Sequence, residues 1–274
     1  MITYGALGRN GNTGNSMFQY ATLLSVGITK GYEVKIPHHP TYFDTNYNSN
    51  NCSIFDGFDI KTPLLLPGEQ PRNDYNEKTF SYDPGVMEIP DNTNLKGYFQ
   101  TERYFTSNRE PILAALQFKW EIRSMAETLF ELQGIKPGQC TSIHVRRGDF
   151  VRQPNFHPQC GPEYFAEAAK LAKSEKYLIF SDDIKWCREA FGSDKNIHYS
   201  DNTNPFVDMC AMSMCAHHII VNSTFGWWGA WLNTNPDKIV VAPKVWLGPG
   251  YAPPYADPVF WNTSDVVPST WIKI

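Results

Sequence analysis

From residue 138 to residue 242, apolar runs too short for helices alternate with stretches of helical periodicity, and this alternation constrains the fold more than any other feature of the chain. Runs at 141–146, 177–181, 218–221 and 238–242 read as strands. Between them the pattern predicts helices over 162–171, with Pro162 in the first turn where proline is tolerated, and over 184–191, 207–215 and 226–232. Strands separated by helices imply a parallel sheet covered on both faces. In such open sheets ligands bind outside the carboxyl ends of the strands, so the residues that follow each strand are the first place to look for chemistry.

The first of these strands ends in His144-Val145-Arg146 and runs on into Arg147-Gly148-Asp149. Guanidinium groups are planar, permanently charged forks that match phosphate oxygens. Neighbouring strand residues point to opposite faces, so one arginine should face away from the ligand: Arg147 either contacts phosphate as well or pairs with Asp149. The second strand ends in Ser181-Asp182-Asp183, where one acid can cap the next helix. The third is followed by Asn222-Ser223-Thr224-Phe225-Gly226-Trp227-Trp228. Ser223 or Thr224 can be the N-cap, and the free N–H groups and positive dipole end of that helix make an anion site to which both hydroxyls add donors. Trp227, Trp228 and Trp231 have the spacing of a buried helix face. His217 and His218 read as structural.

The rest of the chain is less sharply patterned. Residues 2–5 read as a strand, residues 6–14 as a glycine- and asparagine-rich loop, and Asn15 as the cap of a helix in which Met17, Tyr20, Ala21, Leu24 and Ile28 recur at helical spacing and which Gly31 ends; residues 34–36 return as a strand. No GxGxxG is present, so this βαβ opening is not a dinucleotide fingerprint. Residues 38–90 are rich in Asn, Asp, Tyr and Pro with weak periodicity, which fits either a binding surface or a plain irregular excursion. Residues 110–133 are helical, with Ile112, Leu113, Leu116, Met125, Leu129 and Leu132 as core candidates. The expected division is an N-terminal lobe over 1–137, a C-terminal lobe over 138–242, and a tail over 243–274 that packs back across both.

With 274 residues the chain can bury a sizeable core. Its net charge of −4 implies no broad basic surface for nucleic acid, so an anionic ligand must be held by a local cluster such as Arg146 and Arg147. Aromatics at 14% suit a sugar-binding cleft as well as a core. The six cysteines show no CxxC pair and no zinc spacing, and are expected to be free thiols in a reducing cytoplasm. There is no leader-like start and no apolar run long enough to span a membrane, so at most a peripheral membrane association is expected. Sequons at Asn51, Asn222 and Asn262 are read as chance.

Several of these motifs resemble the bacterial α-1,2-fucosyltransferases of glycosyltransferase family 11. They are HVRRGD at 144–149, FSDDIKWC at 180–187, NSTFGWWGAWLN at 222–233, GNSMFQYA at 14–21 against that family's GNQMFQYA, and the segment 97–105. The matches run in family order from about residue 5 to about residue 246. The loop 8–14 is longer than the family's GGLGNQMFQYA and gives no carry-over there. The resemblance implies an α/β fold of two Rossmann-like lobes, GT-B-like. The C-terminal lobe would hold GDP-fucose, the N-terminal lobe a galactose-terminated acceptor, and fucose would pass with inversion to the 2-hydroxyl of a β-galactoside. Another linkage, retention, another GDP-sugar or an inactive carbohydrate-binding relative are the alternatives. Animal relatives carry a membrane anchor, and the missing anchor points to a bacterial-type or viral enzyme.

Residue by residue, the resemblance puts Arg146 against the β-phosphate, where it would do by electrostatic preorganisation what a metal does elsewhere. With no isolated Asp-x-Asp in that lobe, no metal and no cofactor are expected. His144 would lie near the nucleotide, or else be an ordinary core histidine. Asp208 would accept from guanine, or serve only as a first-turn acid. Asn222, Ser223 and Thr224 complete the donor side with Arg147. A lectin would have no use for such a diphosphate clamp. For the base that inversion requires, Asp149 is the leading candidate, with Glu102 and His157 on the acceptor side as the others.

Overall fold

The computed structural model describes residues 1–37, 53–254, 256–257 and 259–274. It divides into two compact units, one of residues 1–117 with 258–268, the other of residues 118–257 with 269–274. The expected boundary at 137 thus falls at 117/118. The tail over 243–274 is shared, its 258–268 segment built into the first unit and its last six residues into the second.

In the first unit, helix α1 (Thr13–Lys30) is buried along most of its length, with Met17, Phe18, Tyr20, Ala21, Leu23 and Val26 essentially inaccessible. Its C-cap is Gly31 in the left-handed conformation (φ 67°), which glycine adopts without a Cβ clash. The N-cap is Asn12, not Asn15; Asn15 lies inside the helix and its Oδ1 accepts from Gln100 Nε2 at 3.0 Å. Ile28 is exposed rather than part of the core. A short α2 (Ile54–Gly57) starts at a capping box made by Ser53 and Asp56. Strands β1 (Asn73–Asn76) and β2 (Thr93–Lys96) pair in parallel. The strands expected at 2–5 and 34–36 appear as single parallel bridges, Thr3 to Asn94, Ile2 to Val34 and Ile36 to Leu64. Helix α3 (Arg109–Ala115) closes the unit. The irregular stretch expected over 38–90 lies partly outside the described residues.

The second unit opens with α4 (Trp120–Leu132), so the helical run expected over 110–133 is two helices in two units. Ile112, Leu116 and Leu129 are buried, whereas Met125 (47% exposed) and Leu132 (79%) are not. The chain continues through β3 (Thr141–Val145), α5 (Gly148–Arg152), α6 (Pro162–Ala172), β4 (Tyr177–Ser181), α7 (Ile184–Phe191), β5 (Ile197–Tyr199), α8 (Pro205–Ser213), β6 (His217–Ile219), α9 (Thr224–Trp231), β7 (Val240–Ala242) and β8 (Ile272–Lys273). These strands form one sheet in the order β5-β4-β3-β6-β7-β8, parallel throughout. Strand alternation sorts the two faces. Ile143, Val145, Ile179, Ile219, Val221 and Val241 form a core with Phe165 and Ala168 of α6 and Cys187 of α7. On the opposite face His144 meets α9, and buried His218 is held by Ser142 and Asn233. Trp227, Trp228 and Trp231 are fully packed, as their spacing predicts. Five cysteines, Cys140, Cys160, Cys187, Cys210 and Cys215, are free thiols; Cys52 lies outside the described residues.

Candidate active site

The sheet order places β4 on one side of β3 and β6 on the other, so the chain reverses direction across the sheet between β3 and β6. That reversal opens a crevice at the carboxyl ends of the two strands. Arg146 and Arg147 follow β3 directly, and Asn222, Ser223 and Thr224 follow β6, so the motifs singled out in the sequence converge on this edge.

The two arginines, just past the end of β3, engage different partners. Arg147 stacks its guanidinium 3.9 Å from the ring centre of Trp186 on α7, and its Nε reaches Asp183 Oδ2 at 3.3 Å. Its partner is therefore Asp183, not Asp149. Arg146, with 28% of its side chain exposed, turns to the other side and is gripped by two carboxylates. Its Nη2 and Nε lie 2.7 and 3.1 Å from Asp149 Oδ1, and its Nη1 lies 3.1 Å from Asp182 Oδ2. The β3–β4 register explains the second contact, because Val145 stands opposite Ser181 and the next residue on each strand is Arg146 and Asp182. Asp183 caps α7, accepting from Trp186 N at 3.1 Å. Both acids of the Asp182-Asp183 pair are thus committed to arginines or backbone. Among the described residues no group of three or more His, Cys, Asp or Glu is arranged to hold a metal.

His144 is buried, its ring 5.4 Å from that of Phe225, and its Nδ1 has no hydrogen-bond partner. Burial, aided by the charge of Arg146, pushes its pKa down to about 3, so the imidazole is neutral. A Cβ on Gly226 would come 2.6 Å from that Nδ1, so the glycine in the third motif makes room for the histidine in the first. Asn222 donates from Nδ2 to the carbonyl of Trp246 at 3.0 Å. Ser223 is the N-cap residue of α9 by position but makes no side-chain capping bond, so its hydroxyl is not spent on the helix. Asp208, in the first turn of α8, accepts from Ser200 Oγ at 2.6 Å and Asn202 Nδ2 at 3.3 Å; burial outweighs these bonds and pushes its pKa up to about 7. His157 stacks on Phe150 with ring centres 4.1 Å apart, and burial lowers its pKa against the pull of Asp149. The loop carrying His157 is pinned by Gly250 N donating to Asn155 O at 2.7 Å and Gly248 N to Phe156 O at 2.9 Å. Glu102 belongs to the first unit, where it opens the short 3₁₀ turn Glu102–Tyr104.

Sequence reasoning missed Trp186 as the shelf under Arg147, Ser200 and Asn202 as the hold on Asp208, and the service of Gly226 to His144. Each joins residues from different elements, and no local signal marks it.

The family model described as glycosyl transferase family 11 matches residues 6–251. The O-antigen biosynthesis glycosyltransferase WbnK of Escherichia coli is 30% identical over 69% of this chain and 63% of its own length. An alpha-1,2-colitosyltransferase of Escherichia coli is 25% identical over 96% of both chains. The galactoside 2-alpha-L-fucosyltransferase Sec1 of Mus musculus is 25% identical over 85% of this chain and 65% of its own. This chain therefore spans somewhat under two thirds of WbnK and Sec1. Among solved structures, POFUT1 in complex with GDP aligns with a TM-score of 0.55 at 11% identity, over 88% of this chain and 97% of that one. The NodZ alpha-1,6-fucosyltransferase co-crystallized with GDP gives 0.55 at 16%, over 83% and 90%. At such identities the likeness shows the fold, which is of the GT-B class. No described helix is long and apolar enough to cross a membrane.

Proposed function

We propose, from the premise that the chain belongs to glycosyl transferase family 11, that it moves L-fucose from GDP-β-L-fucose, with inversion, to the 2-hydroxyl of a terminal β-galactoside. The observation that carries this reading is Arg146 at the carboxyl end of the central strand β3, opposite the unspent Ser223 hydroxyl and the start of α9 after β6. In the reaction the bond from the anomeric carbon to the β-phosphate oxygen breaks, the acceptor oxygen bonds to that carbon, and the acceptor proton must be taken up. Charge grows on the departing diphosphate, and a fixed guanidinium with donors from a helix start is suited to receive it. Asp149, bonded to Arg146 and 39% exposed, is the more accessible of the two carboxylates on that arginine and is assigned the proton. Neutral, buried His144 and the half-buried Asp208 offer hydrogen-bonding groups to the nucleoside. The first unit is assigned the acceptor. Because Asp182 and Asp183 are both engaged, Arg146 takes the role a divalent ion has elsewhere, and activity should persist in saturating EDTA.

A second reading, colitosyl transfer, is favoured by the colitosyltransferase that aligns over 96% of both chains. The deciding experiment offers GDP-fucose and the nucleotide-activated colitose with a panel of galactosides and determines the product linkage by NMR. In parallel, GDP binding to wild type and Arg146→Ala is measured by calorimetry. Removing a charge-assisted bidentate interaction should weaken GDP by about 1.5–3 kcal/mol. Equal affinity in a folded Arg146→Ala protein would remove the phosphate assignment.

A further inference from the structure

The carboxylate of Asp182 divides its two oxygens between two tasks. Oδ1 accepts the backbone N–H of Arg147 at 2.8 Å and so fixes the turn that follows β3. Oδ2 lies 3.1 Å from Arg146 Nη1, on the side of the guanidinium away from the atoms that bind Asp149. A third fact ties Gly148 to the second task. A Cβ built on Gly148 would stand 2.4 Å from Oδ2 of Asp182, well inside van der Waals contact, and at an ordinary contact distance of 3.5 Å from its Cγ. The backbone does not call for glycine here. Gly148 does not adopt a positive φ, and it opens helix α5, where alanine is the better helix former. What the missing side chain provides is the space that Oδ2 occupies while it holds Arg146.

We infer that Gly148 and Asp182 act together as a positioning pair for Arg146, aiming its guanidinium for a nucleoside diphosphate. Asp182 is then a positioning residue and not a metal ligand, and the glycine of the HVRRGD turn is required by a side chain from the next strand. The inference rests on the proposal that Arg146 meets the diphosphate. Asp149 differs from Asp182 in that it holds Arg146 through a single oxygen, Oδ1, whereas Asp182 is anchored at both oxygens and is the less exposed, at 25% against 39%.

The test is GDP calorimetry on the full chain as wild type, Arg146→Ala, Gly148→Ala, Asp182→Ala and the Gly148→Ala/Asp182→Ala double variant, with thermal unfolding of each. Gly148→Ala displaces a carboxylate whose other oxygen holds Arg147 N, so its melting point should fall no further than that of Asp182→Ala, which loses both contacts outright. The GDP affinity of Gly148→Ala should fall roughly tenfold, the scale of one charge-assisted hydrogen bond. Asp182→Ala should reduce affinity by a similar factor, and the double variant by no more than Asp182→Ala alone, because alanine at 148 has nothing left to displace. If Asp182→Ala does not fold, Asp182→Asn keeps an oxygen for Arg147 N but turns an amide donor toward Nη1, and should show the same reduction. Wild-type affinity in Gly148→Ala or Asp182→Asn, or effects that multiply in the double variant, would overturn the inference. If Arg146→Ala itself binds GDP normally, the phosphate assignment fails instead. If only Arg146→Ala is impaired, that assignment stands and the positioning pair does not.

Discussion

Two carboxylate clusters, one in each unit, put the same functional group to opposite uses. Around Arg146 two acids lie near the surface, each bonded to a cation, and their charges stay accessible to solvent and to a ligand. In the first unit Glu77 is 6% exposed, and the groups it accepts from are neutral: Tyr98 N at 2.7 Å, Phe99 N at 2.9 Å and Tyr104 OH at 3.3 Å. Gly97 lets the chain pass so close that a Cβ there would come 2.5 Å from the Glu77 Cβ. Burial pushes the Glu77 pKa up to about 7 in spite of the three donors. A buried acid satisfied by backbone N–H groups holds a loop, whereas a half-exposed acid on an arginine can exchange partners. The comparison therefore predicts that removing the surface acids alters function with little change in stability, and that removing Glu77 does the reverse.

The largest effect is expected at Asp149. A carboxylate that accepts the acceptor's proton matters in the transition state, so Asp149→Asn should lower kcat by roughly 10²–10⁴-fold. GDP affinity should hold, since Asp182 still orients Arg146. Steady-state kinetics and calorimetry on the one variant check both halves. A kcat near wild type would move the proton to His157 or Glu102. A large drop in GDP affinity would instead make Asp149 part of the donor clamp.

Next in size is Glu77. Glu77→Ala leaves the backbone N–H groups of Tyr98 and Phe99 without their acceptor and the Tyr104 hydroxyl with only the Ser81 carbonyl, which should cost about 2–4 kcal/mol. Urea unfolding measures the change, and GDP calorimetry on the folded fraction should read as wild type. A stability change under about 0.5 kcal/mol would place Glu77 with ordinary surface substitutions and end the contrast between the clusters.

The same contrast explains what could be read without coordinates. The parallel sheet of the second unit was legible because its strands are short apolar runs cut by capped helices, and Arg146, Ser223 and Thr224 were legible as the residues that end those runs. That Arg146 and Arg147 would take different partners was expected from strand alternation, although both stand just past the end of β3. Their partners did not follow: the bond from Arg146 to Asp182 needs the register of β3 against β4, and the space for it at Gly148 needs a side chain from another strand. The first unit was harder to read because its outer strands are single bridges whose residues carry no two-residue period. Glu77 went unnoticed there, since one acid in a stretch rich in Asn and Asp carries no mark of burial.

The smallest and most discriminating effect is on the pH dependence of stability. Glu77 and Asp208 both titrate near 7 in the folded chain, above their ordinary values of about 3.9–4.3. Such groups bind protons more tightly when folded. Their contribution is complete below about pH 4 and is lost as pH rises through about 7. His144 has the opposite sign: held down to about 3 against an ordinary value of about 6.5, it contributes fully above pH 6.5 and loses that contribution as pH falls toward 3. Buried His218 is held well below its ordinary value too, and burial lowers His157, His198 and His217, so between pH 4.5 and 6.5 these imidazoles offset the two carboxyls, each group setting a slope of at most about 1.4 kcal/mol per pH unit. Removing one carboxyl by Asp208→Asn should make unfolding free energy rise more with pH over that range than in wild type, whereas His144→Phe should make it rise less. Urea unfolding of the three proteins between pH 4.5 and 7.5 tests the signs directly. If Asp208→Asn leaves the slope unchanged, Asp208 is ionised in the folded protein at all these pH values. It would then meet a nucleoside as a charged acceptor, and a neutral acid would be a property of Glu77 alone.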